Sequence, residues 1–521
     1  MSRSSVAALL VTLFLTSPLV HAGTTLVDAK SLYQSGQYFK AARYAFAAGE
    51  ENPKDQAEAY SWITISLVRA GLYNSASYFF IRTLQSGNRT AIRRVLVNTQ
   101  DLLVRVGGDL LRKYLIRHTN YEDYDQINRG SYLYSLGKTA LLEGQEEKAI
   151  GYFNAISSDS QIWPYVLQLR ASANALRGKL NDALRDFQQC EKKASLYVVS
   201  FNSDSDMSGR DKLRIKQRDR EIEDLGARCI AGQARVLYEL GQFAEADRTY
   251  DQVNKASLVW PDILFEQAWN SFARQEYNRT LGKLVSYKSP ALSFVFNTEV
   301  DVLRAQALLA LCLYEDANEV INEFNTKYTK TGEEIKRFVE RNSSNLVAFY
   351  NIGAEALKAS LSTKNNFYHM LNRFVRGPYF QNLVSEYEAM SHELAAVRGF
   401  GSMQPGVDNS PGKGFPGFLQ LVLNWRAKSI RLIGGAFVKN SLIDHHSMLI
   451  ADFEKMAFIK LEMLGRAKDK LLDKRAGAID RSRGNIEPSR RDDQYYWSFN
   501  GEFWNDELGD YVFGLESECN R

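Results

Sequence analysis

Four side chains in the last quarter of the chain are of types that can hold a metal ion. Asp444, His445 and His446 are consecutive, and Glu454 follows them. Imidazole and carboxylate groups are ordinary zinc ligands. The segment has helical spacing, however, and adjacent residues of a helix point about 100° apart, so the two histidines do not easily face one ion. We therefore predict no metal site here.

A second candidate for chemistry is the pair Glu516 and Ser517, which is similar to the catalytic glutamate and serine of the superhelical lytic transglycosylases that cut peptidoglycan. Only four residues follow Ser517, whereas a glycan-cleaving acid needs a folded cleft that raises its pKa and holds the sugar. Neither a Gly-rich phosphate loop nor a nucleophile elbow is apparent. We predict that the protein is not an enzyme and uses no cofactor.

One pattern of residue types recurs at fixed spacing along the first 330 residues. It indicates the secondary structure of this part of the chain. A glycine is followed two residues later by a bulky or turn-forming residue, five later by alanine, and nine later by a small or aromatic residue. The five clear instances begin at Gly36, Gly71, Gly144, Gly178 and Gly241, and two decayed copies begin at Gln275 and Cys312. Gly144 and Gly178 lie 34 residues apart, as do Gly241 and Gln275, which matches the tetratricopeptide period of about 34.

Each position of this pattern has a physical reason. Glycine ends the first helix because a left-handed backbone lets the chain turn into the second. Alanine fits where the two helices approach most closely, and the later residue fills the seam to the next repeat. Such units bury their faces only when stacked, so we predict an all-α fold: a tetratricopeptide-like superhelical solenoid with a concave groove, followed by a helical C-terminal domain and an aromatic tail.

The N-terminus is predicted to carry an export signal. Arg3 precedes the apolar stretch from Val6 to Leu15, and Val20-His21-Ala22 offers a cleavage site, so the mature chain is expected to begin at Gly23. No cysteine follows that site, which argues against a lipoprotein, and no other run is apolar enough to span a bilayer. We predict a periplasmic protein without a transmembrane segment in its mature form.

Composition gives little sign of a special partner. The chain has 521 residues, with 65 basic and 61 acidic side chains and a net charge of +4, which gives no indication of nucleic-acid binding. We expect a signal peptide at 1–22, a repeat array at 23–330, a helical domain at 331–475 with a loop near 399–417, and a charged linker with an aromatic tail at 476–521.

The chain has four cysteines. Cys190 closes the second helix of one repeat and Cys229 opens the next repeat, so stacking would bring them together. A Cys190–Cys229 disulfide is one interpretation, and two separate small buried residues are the other. Sequence does not fix how Cys312 and Cys519 pair.

The tail from Gln494 to Tyr511 holds seven aromatic residues and two glycines. Asn500-Gly501 between aromatic residues indicates either a small hairpin or an extended strap. The tail could serve as an aromatic docking surface, or it could fold back and cap an exposed end of the repeats.

Three segments resemble a group of secreted bacterial tetratricopeptide proteins, some of which are associated with envelope-spanning gliding-motility and adhesion machinery. The segments are Trp260 to Glu266, Val302 to Ala317, and Tyr496 to Leu508. The resemblance implies a non-enzymatic periplasmic scaffold. It assigns no functional residue.

We predict that the concave groove binds another envelope protein or a peptide segment of one. The repeat register places the groove on the first helix of each repeat, and its expected contact residues are Lys138, Arg235, Tyr238, Trp269 and Phe272. Aromatic and arginine side chains often anchor interfaces, although each of these residues could instead be plain inter-repeat core. Peptidoglycan binding and assistance in outer-membrane protein assembly remain alternatives.

Overall fold

The computed structural model describes residues 26–106, 108–160, 162–199, 209–257, 259–359, 365–402, 411–472 and 495–519. The predicted signal peptide and the charged segment 475–491 lie outside these residues. The described residues form twenty-one α-helices and a single pair of two-residue strands. The predicted all-α fold is confirmed.

The first two repeats are helix pairs, and three further helices follow them. The repeats consist of α1 (Leu26–Gln34) with α2 (Tyr38–Glu51), and α3 (Gln56–Arg69) with α4 (Tyr73–Gln85). The following helices are α5 (Arg89–Leu96), α6 (Thr99–Val106) and α7 (Gly108–His118). These three helices fill the long interval between Gly71 and Gly144.

Five further repeats follow without interruption by other α-helices in the described residues. They are α8 (Arg129–Leu142) with α9 (Glu146–Asn154), α10 (Trp163–Leu176) with α11 (Leu180–Val199), α12 (Gly209–Glu239) with α13 (Phe243–Tyr250), α14 (Trp260–Ala273) with α15 (Tyr277–Val285), and α16 (Glu299–Ala310) with α17 (Tyr314–Arg341). The charged stretch between the two repeats that hold Cys190 and Cys229 is, from Gly209 onward, part of α12.

All seven predicted turn residues have the left-handed backbone that the pattern requires. The five glycines have φ between 70° and 78°, and Gln275 and Cys312 have φ of 61° and 59°. The second helix of each repeat begins two residues after its turn residue. The small residues five positions after the turns are buried, and so are the residues nine positions after them. The repeat register is therefore confirmed in detail.

The chain forms two compact units, which cut across the ranges expected from sequence. One unit comprises residues 1–128 and 388–426, and the other comprises 129–387 and 427–521. The first unit thus contains two repeats and the second contains five. The four domain ranges expected from sequence stay a prediction.

The C-terminal helices are α18 (Leu346–Lys358), α19 (Asn366–Val375), α20 (Pro378–Ser402) and α21 (Phe415–Leu472). The expected loop at 399–417 is therefore helical at both of its described ends. Within the second unit α21 crosses α18 closely, since a methyl group at Gly435 would collide with the Leu346 carbonyl. One side of α21 packs into a core with α17 through Leu449, Met456 and Ile459.

The tail is an extended strap. Its strands β1 (Trp497–Ser498) and β2 (Tyr511–Val512) pair in parallel, so the hairpin interpretation is wrong. The tail lies against α15, where a methyl group at Gly282 would collide with the Tyr511 carbonyl. Leu508, Tyr511 and Val512 are buried there.

Polar contacts hold the strap along three successive repeats, so it does not merely cap an end. The Lys255 ammonium lies 2.9 Å from a carboxylate oxygen of Asp510. The Gly509 amide donates to Ser286 Oγ over 2.9 Å, and the Glu518 amide donates to the Leu311 carbonyl over 2.9 Å. Trp497 and Trp504 remain about half exposed, and a docking role for these rings stays a prediction.

Candidate protein-binding site

The predicted groove residues lie on first helices of the repeats in the second unit. Lys138 is on α8, Arg235 and Tyr238 are on α12, and Trp269 and Phe272 are on α14. Lys138, Arg235 and Trp269 share one register position, six residues before a turn. Tyr238 and Phe272 share another, three residues before a turn. Arg235 is exposed, and the other four are partly buried.

Arg235 links the first helices of two neighbouring repeats. Its Nε donates to Glu266 Oε2 over 2.9 Å, and its Nη2 donates to Glu266 Oε1 over 2.7 Å. The Tyr250 hydroxyl donates to the same carboxylate over 3.0 Å. This paired, fork-shaped contact fixes the register of α12 against α14. Arg235 thus has a structural contact, and a partner-binding role for it stays a prediction.

The aromatic residues of this set pack on one another. The Trp269 ring centre lies 6.5 Å from that of Phe265 and 5.6 Å from that of Phe272. Phe272 in turn contacts Tyr277, and Tyr238 contacts Phe243, with ring centres 5.4 and 5.2 Å apart. All four pairs are edge-to-face, a favourable geometry for aromatic packing. These contacts are those of repeat core, although the partly exposed edges leave room for a partner.

A cleft of about 710 Å³ lies elsewhere in the same unit, between the end of α15, the start of α16 and one side of α17. Sequence reasoning did not single it out. Its size is within the range of ligand-binding clefts. The α17 side is lined by Glu315, Asn318, Glu319, Asn322, Glu323, Thr326 and Lys327.

Opposite charges alternate across this cleft. The Glu323 carboxylate lies 3.1 Å from Arg304 Nη1 and 3.4 Å from Lys288 Nζ. Partial burial raises the pKa of Glu323, but the two cations outweigh it and hold the pKa below 4.5. Further along α17 the Tyr328 hydroxyl donates across the cleft to Asp301 Oδ2 on α16 over 3.1 Å. Burial, and then the Asp301 charge, raise the pKa of Tyr328 well above 10.

Two amides in the cleft are available to a ligand. The Asn318 and Asn322 side chains make no hydrogen bond within the described part of the chain, and Asn322 is exposed. An amide both donates and accepts, so a ladder of asparagines can pair with the peptide groups of an extended segment. The sequence signal for this surface was the polar spacing 315, 318, 319, 322, 323 and 326, which marks one face of a helix.

His445 and Glu516 belong to the two groups considered above as a metal site and as a catalytic pair. His445 Nδ1 lies 2.7 Å from the Ser441 carbonyl oxygen, its ring packs on Phe374, and burial lowers its pKa. Glu516 is exposed in the strap. Among the described residues there is no group of three or more His, Cys, Asp or Glu side chains arranged to hold a metal ion.

The structure contains two disulfides. Cys190 is bonded to Cys229, which joins α11 to α12, and Cys312 is bonded to Cys519, which joins a repeat turn to the strap. Across the described segments, no helix combines the length and apolar character needed to cross a bilayer.

Comparisons with known proteins add little to this geometry. No protein-family model matches the chain, and no curated protein matches it significantly. Among solved structures, the TPR domain of P58(IPK) is 14% identical, with 77% of this chain and 98% of that chain covered and a TM-score of 0.18. Yeast Tom70 is 13% identical, with 86% and 95% covered and a TM-score of 0.19.

A circular tandem repeat protein with novel repeat topology and enhanced subunit contact surfaces is also similar. It is 13% identical, with 84% of this chain and 99% of that chain covered and a TM-score of 0.14. At such TM-scores these superpositions carry no argument about function. The tetratricopeptide-like fold rests on the turn and helix geometry of this chain.

Proposed function

We propose that this protein is a non-enzymatic scaffold whose repeats bind an extended segment of another protein. The observation that carries the proposal is the cleft beside α17, with the available amides of Asn318 and Asn322 and charges of both signs. Amides suit a peptide backbone, and mixed charges suit a polypeptide better than a uniformly anionic polymer. The first-helix residues Arg235, Trp269 and Phe272 would extend that surface.

The proposal includes a periplasmic location for the protein. The N-terminal pattern that ends at Ala22 favours export, and the resemblance to secreted bacterial repeat proteins favours an envelope protein partner, within a motility or adhesion complex. Peptidoglycan is the other envelope component that a test must separate. Sedimentation with purified sacculi, in the absence of any protein partner, would favour wall binding over the scaffold.

A matched pair of positions on α17 tests the cleft directly. Asn322 lines the cleft, whereas Asn325 is exposed on the same helix outside it. A photo-crosslinking residue placed at 322 should trap a discrete protein in cells, and the same residue at 325 should not. Asn322→Trp should abolish co-purification of that protein, whereas Asn325→Trp should leave it unchanged.

A separate double variant tests whether the first-helix residues bind the same partner. Arg235→Ala with Trp269→Ala should weaken capture of the same protein while circular dichroism stays helical. Unchanged capture in this double variant would remove the first helices from the site, and equal trapping at positions 322 and 325 would remove the cleft.

A further inference from the structure

The longest helix of the described residues, α21, is apolar on two sides that lie roughly 115° apart around its axis. The side that holds Val438, Leu442, Leu449 and Met456 is buried within the second unit. On the other side Leu432, Ile443, Ile450 and Leu461 are 38, 42, 47 and 65% exposed. At 100° per residue these four side chains fall within about 20° of one another. They form a continuous exposed stripe, which we call the outer stripe.

The apolar residues of the outer stripe follow the same order from either end of the stripe. About a point between His446 and Ser447, Leu432 mirrors Leu461, and Ile443 mirrors Ile450. Between them Ala436 mirrors Ala457. Two copies of such a stripe match when they run antiparallel about a two-fold axis, because a two-fold contact pairs one surface patch with itself.

The charges of the stripe match in the same register. Lys439 mirrors Glu454, so an antiparallel partner would place a glutamate of each copy against a lysine of the other. Glu454 is exposed and has no ion-pair partner within the described part of its own chain. Lys439 Nζ donates to the Ser343 carbonyl over 2.7 Å, and its ammonium keeps further donors available.

Two exposed side chains at the edge of the stripe also meet in this arrangement. Ile433 and Phe458 are 44 and 69% exposed and lie on the same flank of α21. Antiparallel pairing about the same centre places Phe458 of one copy beside Ile433 of the other. The stretch from Leu432 to Leu461 is about 44 Å long.

We propose that the outer stripe of α21 is a homodimer interface, formed by antiparallel pairing with a second copy of this chain. Sedimentation velocity of the full mature protein over a wide concentration range should show a monomer–dimer equilibrium. Leu461→Asp should abolish the dimer. The matched control Leu176→Asp, at a leucine 71% exposed on α10, should leave it intact.

A charge swap tests the register. Lys439→Glu and Glu454→Lys should each weaken dimerisation about tenfold or more, because each creates two like-charge contacts. The double variant should recover wild-type association although it also lacks the Ser343 hydrogen bond. Circular dichroism and melting of every variant should match those of wild type.

Three results would overturn the proposal. They are a wild-type protein that stays monomeric at all concentrations, a Leu461→Asp variant that dimerises like wild type, and a double swap that fails to recover association. Binding of the monomer to anionic phospholipid vesicles through the same residues would assign the stripe to lipid and would equally overturn it.

Discussion

Two repeats of this chain receive a distant segment at the same register position, three residues after the turn. After Gly71, the Asn74 and Ser75 amides donate to the two oxygens of Glu393 on α20 over 2.7 and 2.9 Å. After Gln275, Asn278 uses both side-chain atoms to pair with the Leu515 backbone over 2.9 and 3.0 Å. The start of the second helix is thus the anchoring point in both repeats, through unpaired backbone amides in α4 and through the Asn278 side chain in α15.

The two attachments, of Glu393 to α4 and of the strap to α15, are held by different interactions. The Glu393 carboxylate is a buried ionisable group, so that anchor responds to pH. The strap is held through its backbone, through the space left at Gly282, and through the Cys312–Cys519 bond, so that anchor responds to shape and to reduction. The first anchor is therefore electrostatic, whereas the strap combines backbone hydrogen bonds at Asn278 with a covalent bond at the turn of the next repeat.

The largest effect should come from removing the covalent anchor. Cys519→Ala opens a disulfide that closes 207 residues of chain, and the expected loss is about 4 to 5 kcal/mol of unfolding free energy. Denaturant unfolding under oxidising conditions measures it. The double variant Cys312→Gly/Cys519→Ala should be about 1 kcal/mol more stable than Cys519→Ala, since it removes only the left-handed strain at the turn. Equal stability of the two variants would show that the cysteine turn is unstrained.

The next largest change in stability should come from filling the space that Gly282 leaves for the strap. Gly282→Ala places a methyl group against the Tyr511 carbonyl and should cost about 2 to 3 kcal/mol. Gly151→Ala is the control, since this glycine lies in α9 with nothing near its missing Cβ, and helix propensity should stabilise it by about 1 kcal/mol. Opposite signs for the two changes are the expected result in thermal melting. A stabilising Gly282→Ala would mean that the strap does not lie on α15.

The electrostatic anchor should give a smaller and pH-dependent effect. Burial raises the pKa of Glu393 above 4.5, although hydrogen bonds from Asn74 and Ser75 oppose the shift. The folded form therefore holds this proton to higher pH than the unfolded chain does. The associated stability is full below pH 4.5 and declines as pH rises through the folded pKa.

Glu393→Gln isolates this contribution. Its amide nitrogen cannot accept a hydrogen bond, so the variant should lose about 1 to 2 kcal/mol at low pH. The difference from wild type should shrink as pH rises, measured as unfolding free energy from pH 4 to 8. A difference that grows with pH would show that the hydrogen bonds outweigh burial and lower this pKa.

The smallest effect concerns the turn beside the strap. Gln275 has a left-handed backbone and an exposed side chain, so Gln275→Gly should stabilise by about 1 kcal/mol. Gly241→Ala, at the equivalent turn one repeat earlier, should destabilise by about the same amount. Both changes are read from melting midpoints, and a destabilising Gln275→Gly would assign the glutamine side chain a contact of its own.

Sequence predicts the repeats well because their determinants are local. Gly144 and Ala149, for example, are required by the turn and the helix approach within one repeat, and even Gln275 and Cys312 were placed correctly from the spacing alone. The strap could not be predicted in this way, since the Tyr511 carbonyl meets Gly282 only after the chain has returned from far away.

The candidate site was predicted less completely than the fold. The register located Arg235 and Trp269 on first helices, but their pairing with Glu266 and Phe265 depends on how neighbouring repeats stack. The α17 cleft was missed because the polar face at Asn318 and Asn322 looks like a solvated helix surface until α16 is placed beside it.

The Cys312–Cys519 bond also has a mechanical consequence. It makes everything between these two residues a closed covalent ring, so tension applied at the two ends of the protein would pass from Cys312 straight to Cys519. The backbone of the C-terminal helices lies inside the ring and outside that covalent path, and a protease cut within the ring would leave both fragments attached until the disulfide is reduced.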